Sequence, residues 1–208
     1  MAGKQNTPIT PSKKSDTIIP PGKAKIVNTM RKLLEERNFS SITISEIARD
    51  AGVTDGLIYK YFNNKRDILH HVLEEHYKLF LELIERDLKG ITGALNKLRK
   101  IIWASIDRYA NHRVFARIIL LEVRNSDEYF KSDAYLLVRR FSRMVLGIIK
   151  EGVTAGEITD NVPPSYIRFI IFGSIEHACL NRAIFNEKIS SDETAEKITR
   201  LIFNGIKK

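Results

Sequence analysis

Residues 43–65, TISEIARDAGVTDGLIYKYFNNK, place a small, an apolar, an aromatic and a basic side chain close together as Gly56, Leu57, Tyr59 and Lys60. The set suits a short helix laid in a DNA major groove, with Gly56 letting the backbone come near the duplex. Lys65 and Arg66, at the start of the next helix, stand where a phosphate can meet them. Thr43, Ser45, Thr54, Asp55 and Tyr61 complete the candidate DNA-facing set.

The elements that would position these groups are also legible. Thr43-x-x-Glu46 is a capping box, in which hydroxyl and carboxylate satisfy the free N–H groups that open a helix. Ile44, Ile47, Ala48 and Ala51 follow at i, i+3, i+4 and i+7 and give that helix one apolar face. Gly52 ends it, because glycine enters the left-handed region without a Cβ penalty. Thr54 caps a second helix with Asp55 in its first turn, where the helix dipole favours a carboxylate. Ile58, Tyr61 and Phe62 can face inward, and Asn64-x-x-Asp67 caps the long helix that follows.

Extended to TISEIARDAGVTDGLIYKYFNNKRDIL, this segment resembles the DNA-binding domain of TetR-family transcriptional regulators. The shared positions are Thr43, Ile47, Ala48, Ala51, Gly52, Val53, Gly56, Tyr59, Tyr61, Phe62 and Lys65. Asp55 departs from the pattern, since many members carry a base there. It is either a cap or a specificity element able to accept from cytosine. The segments IILLEVRNSDEYF, IIKEGVTAGEI and FIIFGSIEH are similar to the subgroup that controls fatty-acid degradation and responds to long-chain acyl-CoA, and Asp-Gly recurs in that subgroup.

Charge agrees with a polyanionic partner. The net charge is +9, and residues 1–66 hold twelve Lys and Arg against six Asp and Glu, so +6 of it lies in the first third. A solvated basic surface is the plain alternative. The lone Cys179 excludes an internal disulfide and suits a reducing cytoplasm. There is no apolar run of about 18 residues or of signal-peptide character, so neither membrane insertion nor secretion is expected.

Residues 1–22 carry Pro8, Pro11, Pro20 and Pro21 with Lys4, Lys13 and Lys14, and read as a disordered basic arm. Residues 23–80 form the DNA-binding domain, with its motif at 43–62, and 81–208 form a ligand-binding and dimerisation domain. Helical periodicity predicts an all-α chain of nine helices. The first is built on Ile26, Val27, Met30, Leu33 and Leu34, and the fourth spans 65–88. A buried helix covers 114–123, a longer one starts at Ser126, and Pro163–Pro164 opens the eighth. A Ser190-x-x-Glu193 capping box opens the ninth.

Enzymatic readings lack support. His70 and Glu74 share a helix face, but no third ligand stands at metal-binding spacing. His177 and Cys179 are two apart on a helix and point away from each other. No catalytic residue, metal or cofactor is expected. The aromatics Trp103, Tyr109, Phe115, Phe141, Phe169 and Phe172, with His177, can line an apolar cavity, or can be ordinary core. Arg113, Arg117 and Arg124 can meet a phosphate or carboxylate at its mouth. The eighth and ninth helices, through Ile175, Ile198 and Ile202, are expected to pair two copies, since a homodimer reads both halves of a palindrome. The resemblance implies a repressor released from double-stranded operator DNA by a small hydrophobic effector such as a long-chain acyl-CoA. A multidrug-type regulator of the same family and a ligand-independent architectural DNA protein are the alternatives.

Overall fold

The computed structural model describes residues 20–207, so the lysines of the expected arm lie outside the described residues. Pro21 and Gly22, assigned to that arm from sequence, belong instead to α1 (Pro21–Glu36). Proline suits a first helical position, where its missing N–H would have no partner anyway. After a 3-10 turn at Phe39–Ser41 come α2 (Ile44–Ala51), α3 (Asp55–Tyr61) and α4 (Lys65–Leu88). The chain continues through α5 (Ala94–Asn111) and α6 (Arg113–Arg117). A π-helical stretch Ile118–Glu122 and a 3-10 turn Val123–Asn125 follow. The remaining helices are α7 (Asp127–Phe130), α8 (Asp133–Thr154), α9 (Pro164–Phe185) and α10 (Ser191–Ile206).

The described residues are all-α, their one extended pairing being an isolated bridge between Ile158 and Lys207. They hold ten α-helices rather than nine. The helix expected to run on from Ser126 is broken at Ser132, whose Oγ accepts from Tyr135 N (3.3 Å) and donates to the Tyr129 carbonyl (2.7 Å). That cap starts α8 afresh. The buried helix expected over 114–123 is likewise three conformations in succession. The Ser190 cap forms, but Glu193 turns away from it to Lys197 (2.5 Å).

Two apolar cores share α4. The first gathers Ile26, Met30, Leu34, Ile47, Ile58 and Phe62 around Ile68, Leu69, Val72 and Leu73 of α4. It is completed by Phe115, Ile118, Val123 and Tyr129 from farther along the chain, because helices this short cannot bury enough surface alone. The second begins at Leu81 and Ile84 of α4 and runs through α5, α8, α9 and α10. Gly152 fits α8 against α5: a Cβ there would lie 2.6 Å from that of Ala94. One rigid helix thus enters both cores.

Candidate functional site

Both hydrogen bonds of the α2 capping box are present: Thr43 N donates to Glu46 Oε2 (2.9 Å) and Glu46 N to Thr43 Oγ1 (3.2 Å). Arg37 also donates to the Glu46 carboxylate (2.8 Å). This bond, with those from Thr43, lowers the Glu46 pKa to about 2. Gly52, at φ 65°, turns the chain in the left-handed region. Thr54 Oγ1 then accepts from Leu57 N (3.3 Å) to open α3.

Ile58 and Phe62 are buried, leaving Asp55, Gly56, Tyr59 and Lys60 on the outside of α3. Tyr59 is 60% exposed. Leu57 is half-buried and turns partly toward Gly22 of α1, and Tyr61 packs against the first core. Ser45 Oγ donates to Asp55 Oδ2 (2.9 Å), so Asp55 braces α3 against α2 besides standing in its first turn.

Lys65 departs from its expected part. Its ammonium donates to the carbonyls of Phe39 (2.8 Å) and Ser40 (3.4 Å) in the 3-10 turn and of Ile42 (2.6 Å) just after it. An ammonium has three donors, so none is left for a phosphate in this arrangement. Its neighbour Arg66 stays exposed.

Farther along α4 lies a cavity of about 430 Å3, well inside the ~300–1,000 Å3 range of small-molecule pockets. Tyr77, Phe80 and Leu81 of α4 form one wall, Ser105, Arg108 and Tyr109 of α5 another, and Phe141, Phe172 and Ile175 a third. Tyr129, Phe130 and Tyr135 close the side near the break between α7 and α8. Tyr77 and Tyr129 hydroxyls bond to each other (3.1 Å), and burial raises both phenols. Arg124 lines the cavity with Glu176, to which it donates at 2.6 Å.

Of the expected cavity residues, Tyr109, Phe141, Phe172 and Arg124 are therefore on its wall. The others are engaged elsewhere. Trp103 Nε1 donates to Asp192 (2.6 Å) and ties α5 to α10. Phe115 stacks on the His76 ring at 3.7 Å. Arg113 donates to the Arg182 carbonyl (3.3 Å) and Arg117 to Asn38 Oδ1. Phe169 and His177 are exposed on α9. Sequence reasoning missed Tyr77, Phe80 and Arg108. The tyrosines flanking Ser132 were hidden by reading one helix where there are two.

The residues expected to pair two copies need the same correction. Ile175 is 2% and Ile202 8% exposed within the chain's own second core, and Ile198 packs against that core. The outward stripe of α9 is instead Tyr166, Phe169, Ile170, Gly173 and His177, at i, i+3, i+4, i+7 and i+11. Leu201 of α10 is 75% exposed.

Among the described residues no group of three His, Cys, Asp or Glu could hold a metal ion, and no helix is long and apolar enough to cross a membrane. Burial pushes the Cys179 thiol up to about 12, far from a reactive thiolate.

Residues 26–72 match the family described as bacterial regulatory proteins, tetR family, and residues 73–205 match the C-terminal region of YsiA-like proteins. The fatty acid metabolism regulator protein of Bacillus subtilis (strain 168) is 28% identical over 182 residues, 88% of this chain and 94% of that one. A crystal structure of the transcriptional regulator FadR from Bacillus subtilis, in complex with stearoyl-CoA, superposes with a TM-score of 0.78 at 28% identity. It covers 88% of this chain and 98% of its own. FadR from Bacillus halodurans shares the fold, with a TM-score of 0.78 at 23% identity over 91% of this chain and 98% of its own. These relatives are regulators, not enzymes. With the two matches together spanning residues 26–205, the chain belongs to the TetR family of bacterial transcriptional regulators.

Proposed function

We propose that this regulator binds a palindromic operator as a homodimer and leaves it when a long-chain acyl group, carried as an acyl-CoA, fills the cavity. The observation that carries this reading is that α4 serves both ends. Its first half is buried in the core that holds α2 and α3, and its second half walls the cavity. An occupant that displaces Tyr77 or Phe80 cannot leave the angle of α2 and α3 unchanged unless α4 bends.

Residues 23–80 then act as the DNA-binding unit and 81–208 as the sensing and pairing unit. Tyr59 and Lys60 enter the major groove, and of Lys65 and Arg66, both expected at a phosphate, Arg66 keeps that role. The exposed stripe of α9, with Leu201, is the surface that a second copy covers, since a contiguous apolar face on a regulator of palindromes calls for a two-fold partner. The cavity wall is mostly apolar, and each buried methylene of an acyl chain contributes about 0.8 kcal/mol. The relative solved with stearoyl-CoA supports the same class of occupant.

The rings of Tyr77, Phe80, Tyr109, Tyr129, Phe130, Tyr135, Phe141 and Phe172 favour a second reading, a planar aromatic effector. Selection of bound duplexes from a randomised pool, followed by release titrations, separates the two. A palindrome released by acyl-CoAs with potency rising along the chain-length series supports the first. Release by an aromatic drug and by no acyl-CoA supports the second.

A further inference from the structure

Two polar groups on the cavity wall, Ser105 and Arg108, keep hydrogen-bonding capacity that no described residue takes up. Ser105 is 7% exposed, and its buried Oγ has no hydrogen-bond partner among the described residues. One turn later on α5, Arg108 lines the same wall. Its Nε donates to His76 Nε2 (2.8 Å), its Nη2 donates to the His76 carbonyl, and its guanidinium lies 4.6 Å from the centre of the Phe80 ring. Nη1 has no hydrogen bond among the described residues.

The charge of Arg108 is also uncompensated. No ion pair of Arg108 occurs among the described residues, and His76 is neutral, its pKa lowered to about 2 by burial and by the Arg108 charge. Burial brings Arg108 itself down to about 10, so it remains a cation at neutral pH. The other arginine on the wall, Arg124, already has Glu176. A half-buried guanidinium without an acid, beside an orphaned hydroxyl, is costly to maintain unless an acceptor is to be supplied.

We propose that Ser105 and Arg108 form a polar anchor inside the cavity for the acyl oxygen of an amphipathic effector, either the carbonyl of a thioester or the carboxylate of a free acid. This rests on the acyl reading of the cavity and adds the group that recognises the acyl head. The same guanidinium holds the His76 carbonyl of α4, so an acceptor drawn to Arg108 acts directly on the helix that carries the DNA-reading unit.

Calorimetric titration of the full chain with palmitoyl-CoA, S-hexadecyl-CoA and palmitate tests the anchor. S-hexadecyl-CoA lacks only the carbonyl oxygen. Wild type is expected to prefer palmitoyl-CoA over the thioether by roughly tenfold or more, the scale of a charge-assisted hydrogen bond. The preference should shrink in Ser105→Ala and vanish in Arg108→Met, and Arg108→Lys should restore part of it. Far-UV dichroism and thermal melting show that each variant is folded, and Ser105→Ala keeps the test open if Arg108→Met does not fold. Palmitate binding that falls more steeply than palmitoyl-CoA binding in Arg108→Met identifies the free acid as the source of the oxygen. Equal binding of thioester and thioether by wild type, or a preference that survives both Ser105→Ala and Arg108→Met, overturns the anchor and leaves the acyl reading standing. Binding of none of the three probes overturns both.

Discussion

Ser45 Oγ donates to Asp55 Oδ2 at 2.9 Å, joining the first turn of α2 to the first turn of α3. An acid at the edge of a DNA-reading face repels phosphate, so its presence needs a structural return. Here the carboxylate fixes the angle between the two helices and stands at the positive end of the α3 dipole. Asp55→Ala should lower stability by up to about 1 kcal/mol. It should also weaken binding to the preferred operator more than binding to random duplex, measured by anisotropy at constant salt. Equal weakening on both duplexes would reduce Asp55 to a charge effect.

Lys65 and Arg66 should part company. Replacing Lys65 by Met orphans the carbonyls of Phe39 and Ile42 and should lower stability by roughly 1–3 kcal/mol. It should leave the slope of log K against log salt where it was. Arg66→Ala should instead reduce that slope by about 0.9 with little change in melting, as expected for one lost phosphate contact. A lower slope for the Lys65 variant would return that residue to the phosphate.

Assembly gives an equally sharp pair. Ile170→Glu, on the exposed stripe of α9, should leave a folded monomer that has lost operator binding. Ile175→Glu, at 2% exposure inside the second core, should fail to fold because its charge is buried without a partner. Sedimentation and far-UV dichroism distinguish the outcomes. A dimeric Ile170→Glu protein would move the pairing surface off this face.

The contrast between Ile170 and Ile175 shows where sequence reading stops. Caps, glycine turns and the span of α4 were legible because each is a local signal: Thr43, Gly52, Thr54 and Asn64 act within one turn of themselves. The all-α class was legible from periodicity for the same reason. Periodicity does not say which of two apolar stripes on α9 faces inward, since both obey helical spacing. Nor could it show that Arg117 is spent on Asn38 or Arg108 on His76, contacts spanning 79 and 32 residues. The break at Ser132 is local, but Phe130, Ala134, Leu137, Phe141, Val145 and Ile148 keep helical spacing across it and masked it.

Stability should fall on mild acidification. His76 has its pKa lowered to about 2 by burial and by Arg108, and burial also lowers that of His70. The unfolded chain takes up protons near pH 6.5 that the native chain refuses. The contribution of each histidine is therefore present above about pH 6.5 and lost as the pH falls below it. One such proton gives a slope of up to about 1.4 kcal/mol per pH unit. Urea unfolding from pH 7 to 5 should show this slope flattened in His76→Gln. Identical slopes in the two proteins would mean that His76 is protonated in the fold.

The central claim is that one helix, α4, couples the cavity to the DNA-reading face, and thermodynamic reciprocity tests it most directly. Operator affinity is measured with and without saturating palmitoyl-CoA, and palmitoyl-CoA affinity with and without saturating operator, on the same dimer in the same buffer. The account predicts that each ligand weakens the other by one common factor, in the range of roughly 5 to 150. Tight binding of both ligands with a factor of one would contradict it, since cavity and DNA face would then be independent despite sharing α4.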